Sequence, residues 1–188
     1  GDGLSASAAA VLTPDMGAPE LLQCLGDGGF IQFHPALAQD LGIKAALFLG
    51  HALYWSRHLA KNQPNRQGWF YMTAAQWTDA TTLTTREQTS ARAALLKANL
   101  LIERLAGRPA RMHYRVNLTE LALRTGIKSS MDGAPKISWD AFSPWIKSAV
   151  SFYRPLASCT GSVTAGLYLS YLLQCQRASS AFTQDNGF

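Results

Sequence analysis

Seven side chains near the middle of the chain have the types and spacing to grip a polyanion. Arg86, Ser90, Arg92 and Lys97 recur at helical steps, and Arg108, Arg111 and Arg115 crowd the stretch GRPARMHYRVNL, Gly107 to Leu118. Guanidinium groups make forked, charge-assisted hydrogen bonds to phosphates and guanine edges, lysine adds a point charge and serine a short donor and acceptor. The set therefore predicts a contact surface for double-stranded DNA. Three of these positions also allow a plainer reading. Arg92 could hold its helix to the hairpin through a salt bridge, and Arg115, like Arg104, could pair with Glu103 or line a solvated sheet face.

The distribution of charge agrees with the DNA reading. The formal net charge is +5, yet residues 1 to 60 carry two basic side chains against five acidic ones, whereas residues 61 to 115 carry nine against three. An excess of one sign in one third of a chain is an electrostatic footprint for a polyanion. Catalytic and metal-binding chemistry is not indicated. His51 and His58 lie on one helix face with no carboxylate or cysteine at a ligating step, and His34 and His113 are isolated. No glycine-rich phosphate loop, nucleophile elbow or paired-carboxylate motif is present in the sequence. The expectation is a binding protein, not an enzyme, with no cofactor, metal or small-molecule substrate.

The elements that must position the seven can be read in order. FIQFHP alternates as a short strand, ALAQDLG is a turn or two of helix ended by Gly42, and Ile43 to about Ala60 has helical apolar spacing. Trp69 to Met72 is an aromatic strand. Thr73 with Gln76, and Thr84 with Glu87, are capping-box pairs that start two successive helices across the tight ATTLT connection, which predicts a helix-turn-helix. In the second helix Gln88, Ala91, Leu95 and Ala98 share a packing face, while Arg86, Ser90, Ala93 and Lys97 share the opposite one. Asn99 suits a left-handed terminator. LLIERL and RMHYRVNL then form a hairpin with Trp69 to Met72 as third strand, and Gly107 to Arg111 become its tip. Trp69 and Trp77 are expected in the core.

The segment LTTREQTSARAALLKANLLIERLAGRPARMHYRVNL resembles winged helix DNA-binding proteins of phages, plasmids and integrated mobile elements. The matching positions are Ala91, Arg92, Leu95, Ala98, Leu100, Leu101, Gly107, Pro109, Ala110, Arg111, Tyr114, Arg115, Val116 and Asn117, with Asn99 standing where that family has Gly. With GWFYMTAAQW before it, the likeness covers about residues 31 to 123. It implies a winged helix-turn-helix acting on DNA in replication initiation or transcriptional control. The competing class is a winged helix that joins a replisome or segregation complex without touching DNA, since Ala93 and Leu96 on the exposed face are poor base readers.

The expected organisation is an arm over residues 1–28, a winged helix domain over 29–125, a linker over 126–137 and a helical segment over 138–188. The fold class is mainly α with a three-stranded antiparallel sheet. The second half echoes the first: FHPALAQDLGIKAALFLGHALYWSR aligns without gaps on YRPLASCTGSVTAGLYLSYLLQCQR, pairing Pro35 with Pro155, Ala45 with Ala165, Leu47 with Leu167, Leu49 with Leu169, Leu53 with Leu173 and Arg57 with Arg177. This reads as the start of a second winged helix unit, and its uncovered apolar residues predict a homodimer through that half. Within the arm, Pro19 to Leu25 reads as a short helix. Cys24, Cys159 and Cys175 are too scattered for a zinc ribbon or disulfide framework and are expected as reduced thiols, two of them in a core. The apolar stretches are short and the N-terminus has no leader pattern, so a cytoplasmic protein without a membrane contact is expected.

Overall fold

The computed structural model describes residues 29–127 and 138–185, with side chains up to residue 179. The expected arm with its helix at Pro19–Leu25, Cys24 and most of the expected linker lie outside the described residues. The fold is mainly helical with two small antiparallel sheets. None of its described helices is long and apolar enough to cross a membrane.

Strand β1 (Phe30–Phe33) leads through His34 into helix α1 (Pro35–Leu41) and the long helix α2 (Ile43–Asn62). Pro35 opens α1 at a position where no amide donor is needed, and Gly42, at φ 86°, closes it and turns the chain into α2. Leu47, Phe48, Leu49 and Ala52 of α2 are almost fully covered, so α2 is the central helix of the core. Each buried leucine or phenylalanine there contributes about 2 to 3 kcal/mol. Gly50 is required at its place, because a Cβ would overlap the carbonyl oxygen of Gln32 and push β1 off the helix.

A short 3-10 turn, Pro64–Arg66, lies in the expected polar loop. Strand β2 (Phe70–Tyr71), helix α3 (Ala74–Thr81), helix α4 (Thr85–Lys97) and strands β3 (Leu101–Ala106) and β4 (Arg111–Val116) follow, and the sheet order is β2-β4-β3. Both capping boxes form, at Thr73 with Gln76 and at Thr84 with Glu87, and Asn99 takes the left-handed conformation at φ 58°. Helix α5 (Leu118–Thr125), capped by the Asn117 side chain, ends this half.

The second half comprises a 3-10 turn (Trp139–Phe142), helix α6 (Ser143–Lys147), strand β5 (Val150–Tyr153), helix α7 (Arg154–Thr160) and helix α8 (Val163–Asp185). Strand, proline-led short helix and long helix thus occur twice in the order that the echo implies. The two halves meet through their strands: β1 pairs with β5 antiparallel, Phe30 opposite Tyr153 and Phe33 opposite Val150, so each strand pairs with the strand that the echo aligns with it. Phe142, Ile146, Val150, Phe152 and Ala157 join the same core as Phe48 and Trp77. Phe142 and Phe152, with the partly buried Trp139 and Trp145, are thereby packed into a core shared with the first half, whereas Tyr168 and Tyr171 of α8 stay exposed.

The thiols depart from expectation. Cys159 and Cys175 are both exposed, because one lies in the last turn of α7 and the other on a solvent side of α8.

Candidate nucleic-acid interface

The α3–α4 pair is held by one buried side chain. The amide nitrogen of Gln88 lies 2.9 Å from the carbonyl oxygen of Leu83, 2.9 Å from Thr78 Oγ1 and 3.1 Å from the carbonyl oxygen of Ala74, which ties the start of α4 to α3 and to the turn between them. Thr81 donates to the Trp77 carbonyl and accepts from the Leu83 amide, and Thr82 makes the bend at φ 62°. At the N-terminus of α4, Glu87 completes the cap and pairs with Lys44 at 2.9 Å. Lys44 first, then the Thr84 amide, holds the Glu87 carboxyl below the usual carboxylate range. The helical spacing of the sequence marked Gln88 only as a packing position; its role as a positioning residue becomes visible through the three acceptors around it.

This anchoring leaves Arg86, Thr89, Ala93 and Lys97 exposed along one side of α4, opposite the buried Ala91 and Leu95. Leu96, 41% exposed, adjoins them. Helix α4 spans about 20 Å, with Arg86 and Lys97 about 16 Å apart along its axis. Ser90 is exposed but stands beside the second half, at a cleft of about 510 Å³ that it shares with Ala94, Val163 and Thr164.

Arg92 faces the other flank. Its Nε donates to Glu103 Oε1 at 2.5 Å and a terminal nitrogen donates to Oε2 at 2.9 Å, while the guanidinium stands 5.6 Å from the Tyr114 ring centre. Arg92 is thus engaged in fastening α4 to the hairpin, the plainer of its two readings. The reason is sheet register: Glu103 opposes Tyr114, so carboxylate and ring share the sheet face that α4 packs against. Glu103 is consequently the partner of Arg92 and not of Arg104 or Arg115.

The alternation of the hairpin sends the remaining arginines to the opposite face. Arg111, His113 and Arg115 project from β4 on the side away from α4, with Arg104 of β3 and Tyr71 of β2 beside them. Trp69, expected in the core, lies there too: it is only half-buried, with the Arg104 guanidinium 4.1 Å and the Arg115 guanidinium 4.7 Å from its ring centre. The Arg111 guanidinium is 4.8 Å from the ring of Tyr71. Trp77, by contrast, is buried and stacked on Phe48 at 3.7 Å. Arg108 stands exposed at the hairpin tip, in the turn Gly107–Ala110. The seven candidates therefore separate into an α4 side with Arg86, Ser90 and Lys97, a tip with Arg108, an outer sheet face with Arg111 and Arg115, and Arg92 between helix and hairpin.

The histidines remain apart from these surfaces, except His113. His34 is buried and stacked on Trp145 at 3.6 Å, and His51 accepts a hydrogen bond from the Trp55 indole at 3.0 Å. Burial lowers both pKa values to about 4, with Arg154 adding to the shift at His51. Among the described residues no group of three or more His, Cys, Asp or Glu side chains is placed to hold a metal ion. No family model, curated protein or solved structure matches this chain.

Proposed function

We propose that this chain is a winged helix protein that binds double-stranded DNA through α4 and the tip of the β3–β4 hairpin, in the replication or transcriptional control of a mobile element. The observation that carries the reading is the placement of α4. It is capped, anchored by Gln88 and Arg92, and left with Arg86, Thr89, Ala93 and Lys97 uncovered along a length suited to a major groove about 12 Å wide. Arg86 and Lys97 reach phosphates at either end of the groove contact, Ser90 and Thr89 offer short donors to base edges, and Arg108 touches the neighbouring backbone. The exposed Leu96 favours the competing reading, in which the same helix face meets a protein.

Duplex anisotropy titrations at about 50 and about 200 mM salt separate the two readings. DNA binding requires a steep loss of affinity with salt, and an Arg86→Ala/Lys97→Ala variant with a slope smaller by about two. Absence of duplex binding at the lower salt would sink the DNA reading in favour of the protein contact.

Self-association through the second half belongs to the same proposal. Tyr168, Leu169 and Leu172 of α8 are 63%, 37% and 43% exposed, whereas the positions that the echo aligns with them, Phe48, Leu49 and Ala52 of α2, are 0% exposed. A second copy covering this face would bury what the first unit buries beneath α3, α4 and the sheet. Sedimentation that shows monomer alone at about 100 μM, well above a typical micromolar dissociation constant, would remove it.

A further inference from the structure

We propose that the outer face of the β2-β4-β3 sheet binds single-stranded DNA. Its occupants are Trp69, Tyr71 and His113, with Arg104, Arg111 and Arg115 among them. Among the described residues of the three strands, neither Asp nor Glu takes an outward position: Glu103, the acidic residue of the hairpin, points to the other side and is paired with Arg92. Among the described residues Arg104, Arg111 and Arg115 make no salt bridge, so three cations stand without a counter-charge on a surface that also carries three rings.

The combination selects the ligand. Phosphates satisfy guanidiniums, but a duplex keeps its bases stacked inside and offers nothing to the rings; an unpaired strand offers phosphates and free base faces together. Alternate residues of β4 are about 6.7 Å apart, which sets Arg111, His113 and Arg115 at intervals comparable to the phosphate spacing of a stretched strand. The guanidiniums of Arg104 and Arg115 stand 4.1 and 4.7 Å from the Trp69 ring centre and that of Arg111 4.8 Å from the Tyr71 ring centre, so cations and rings alternate closely, and a base can stack on an arginine plane as well as on an aromatic one. Next to Arg115 the face opens into a cavity of about 350 Å³ bounded by Gly68, Ile102, Asn117 and Trp139, with room for a base turned out of the strand. The choice of DNA over RNA rests on the duplex reading above. The site itself does not, because it lies on the opposite side of the sheet from α4.

The test is a titration of the full chain with a fluorescein-labelled oligo-dT of about a dozen nucleotides, beside the labelled duplex and an oligo-U of equal length. Oligo-dT should bind with a salt dependence, and Trp69→Ala should weaken it about tenfold. Arg104→Ala/Arg115→Ala should weaken it too, with a salt slope smaller by about 1.4. Duplex affinity should stay within about twofold in Trp69→Ala, while Arg86→Ala/Lys97→Ala should lose duplex and keep oligo-dT. Near-UV circular dichroism confirms that each variant is folded, and the arginine pair, which leaves every aromatic in place, guards against misfolding of the tryptophan variant. Failure of oligo-dT to bind, or equal binding by Trp69→Ala and the arginine pair, overturns the proposal. Tighter binding of oligo-U overturns the choice of DNA. Loss of duplex binding alone overturns the α4 reading and leaves this one standing.

Discussion

Removing the Arg92 side chain should damage stability and spare DNA binding. The guanidinium and the Glu103 carboxylate form two hydrogen bonds, 2.5 and 2.9 Å, and their side chains are 28% and 14% exposed. That places the pair between a surface ion pair, worth up to about 1 kcal/mol, and a buried one, whose breaking costs about 3 to 5 kcal/mol. Arg92→Ala leaves a mostly covered carboxylate without its partner and removes a cation from beside the Tyr114 ring. A loss of about 2 kcal/mol follows, with the Arg92→Ala/Glu103→Ala double variant recovering about 1 to 2 kcal/mol of the summed single losses as coupling. Urea unfolding measures both quantities, provided the slope with denaturant stays unchanged. Folded Arg92→Ala should then bind duplex within about twofold of the parent protein, unlike Arg86→Ala/Lys97→Ala. A coupling below about 0.3 kcal/mol, or a variant of normal stability that no longer binds duplex, would refute the assignment of Arg92 to the helix–hairpin junction.

Three other perturbations probe the frame around these surfaces. Gly50→Ala should cost about 3 kcal/mol, seen as a fall in Tm, because α2 and β1 would have to separate to admit the methyl group near Gln32; an unchanged Tm would show that the strand yields freely. Thr84→Ala should cost about 1 kcal/mol by removing the acceptor for the Glu87 amide, and Thr84→Ser should restore most of it. His34 is neutral in the fold, with its pKa lowered by burial from 6.5 to about 4. Its contribution is complete above pH 6.5, where the unfolded chain is neutral as well, and is lost as pH falls toward 4, reaching about 3 kcal/mol. Unfolding curves across that window should show this decline added to that of His51, whose pKa is lowered to the same value, and His34→Phe, which keeps a ring against Trp145, should remove the His34 share, about half of the total; an equal decline in the variant would place its origin elsewhere.

What was legible in the sequence is what short-range physics decides. The capping boxes at Thr73 and Thr84, the left-handed Asn99, the helical period of α2 and the buried and exposed faces of α4 all depend on residues within a turn or two of each other, and they stand where the spacing puts them. The repeated strand–helix–helix order was legible for the same reason, as a pattern copied within the chain. The pairing of β1 with β5 was not, because nothing local encodes which distant strand supplies the missing backbone partners.

The outer face of the sheet was hidden for a related reason. Trp69 reads as core by its hydrophobicity, and only the register of three strands from separate parts of the chain places it among Arg104, Arg111 and Arg115, facing away from α4. The same register turns Glu103 inward and fixes Arg92 as its partner. The sequence by itself determined which elements form and where the positive charge accumulates. The tertiary structure alone decided on which side of the hairpin each charge stands, since a strand alternates its side chains and a shift of one residue in pairing would exchange the two faces.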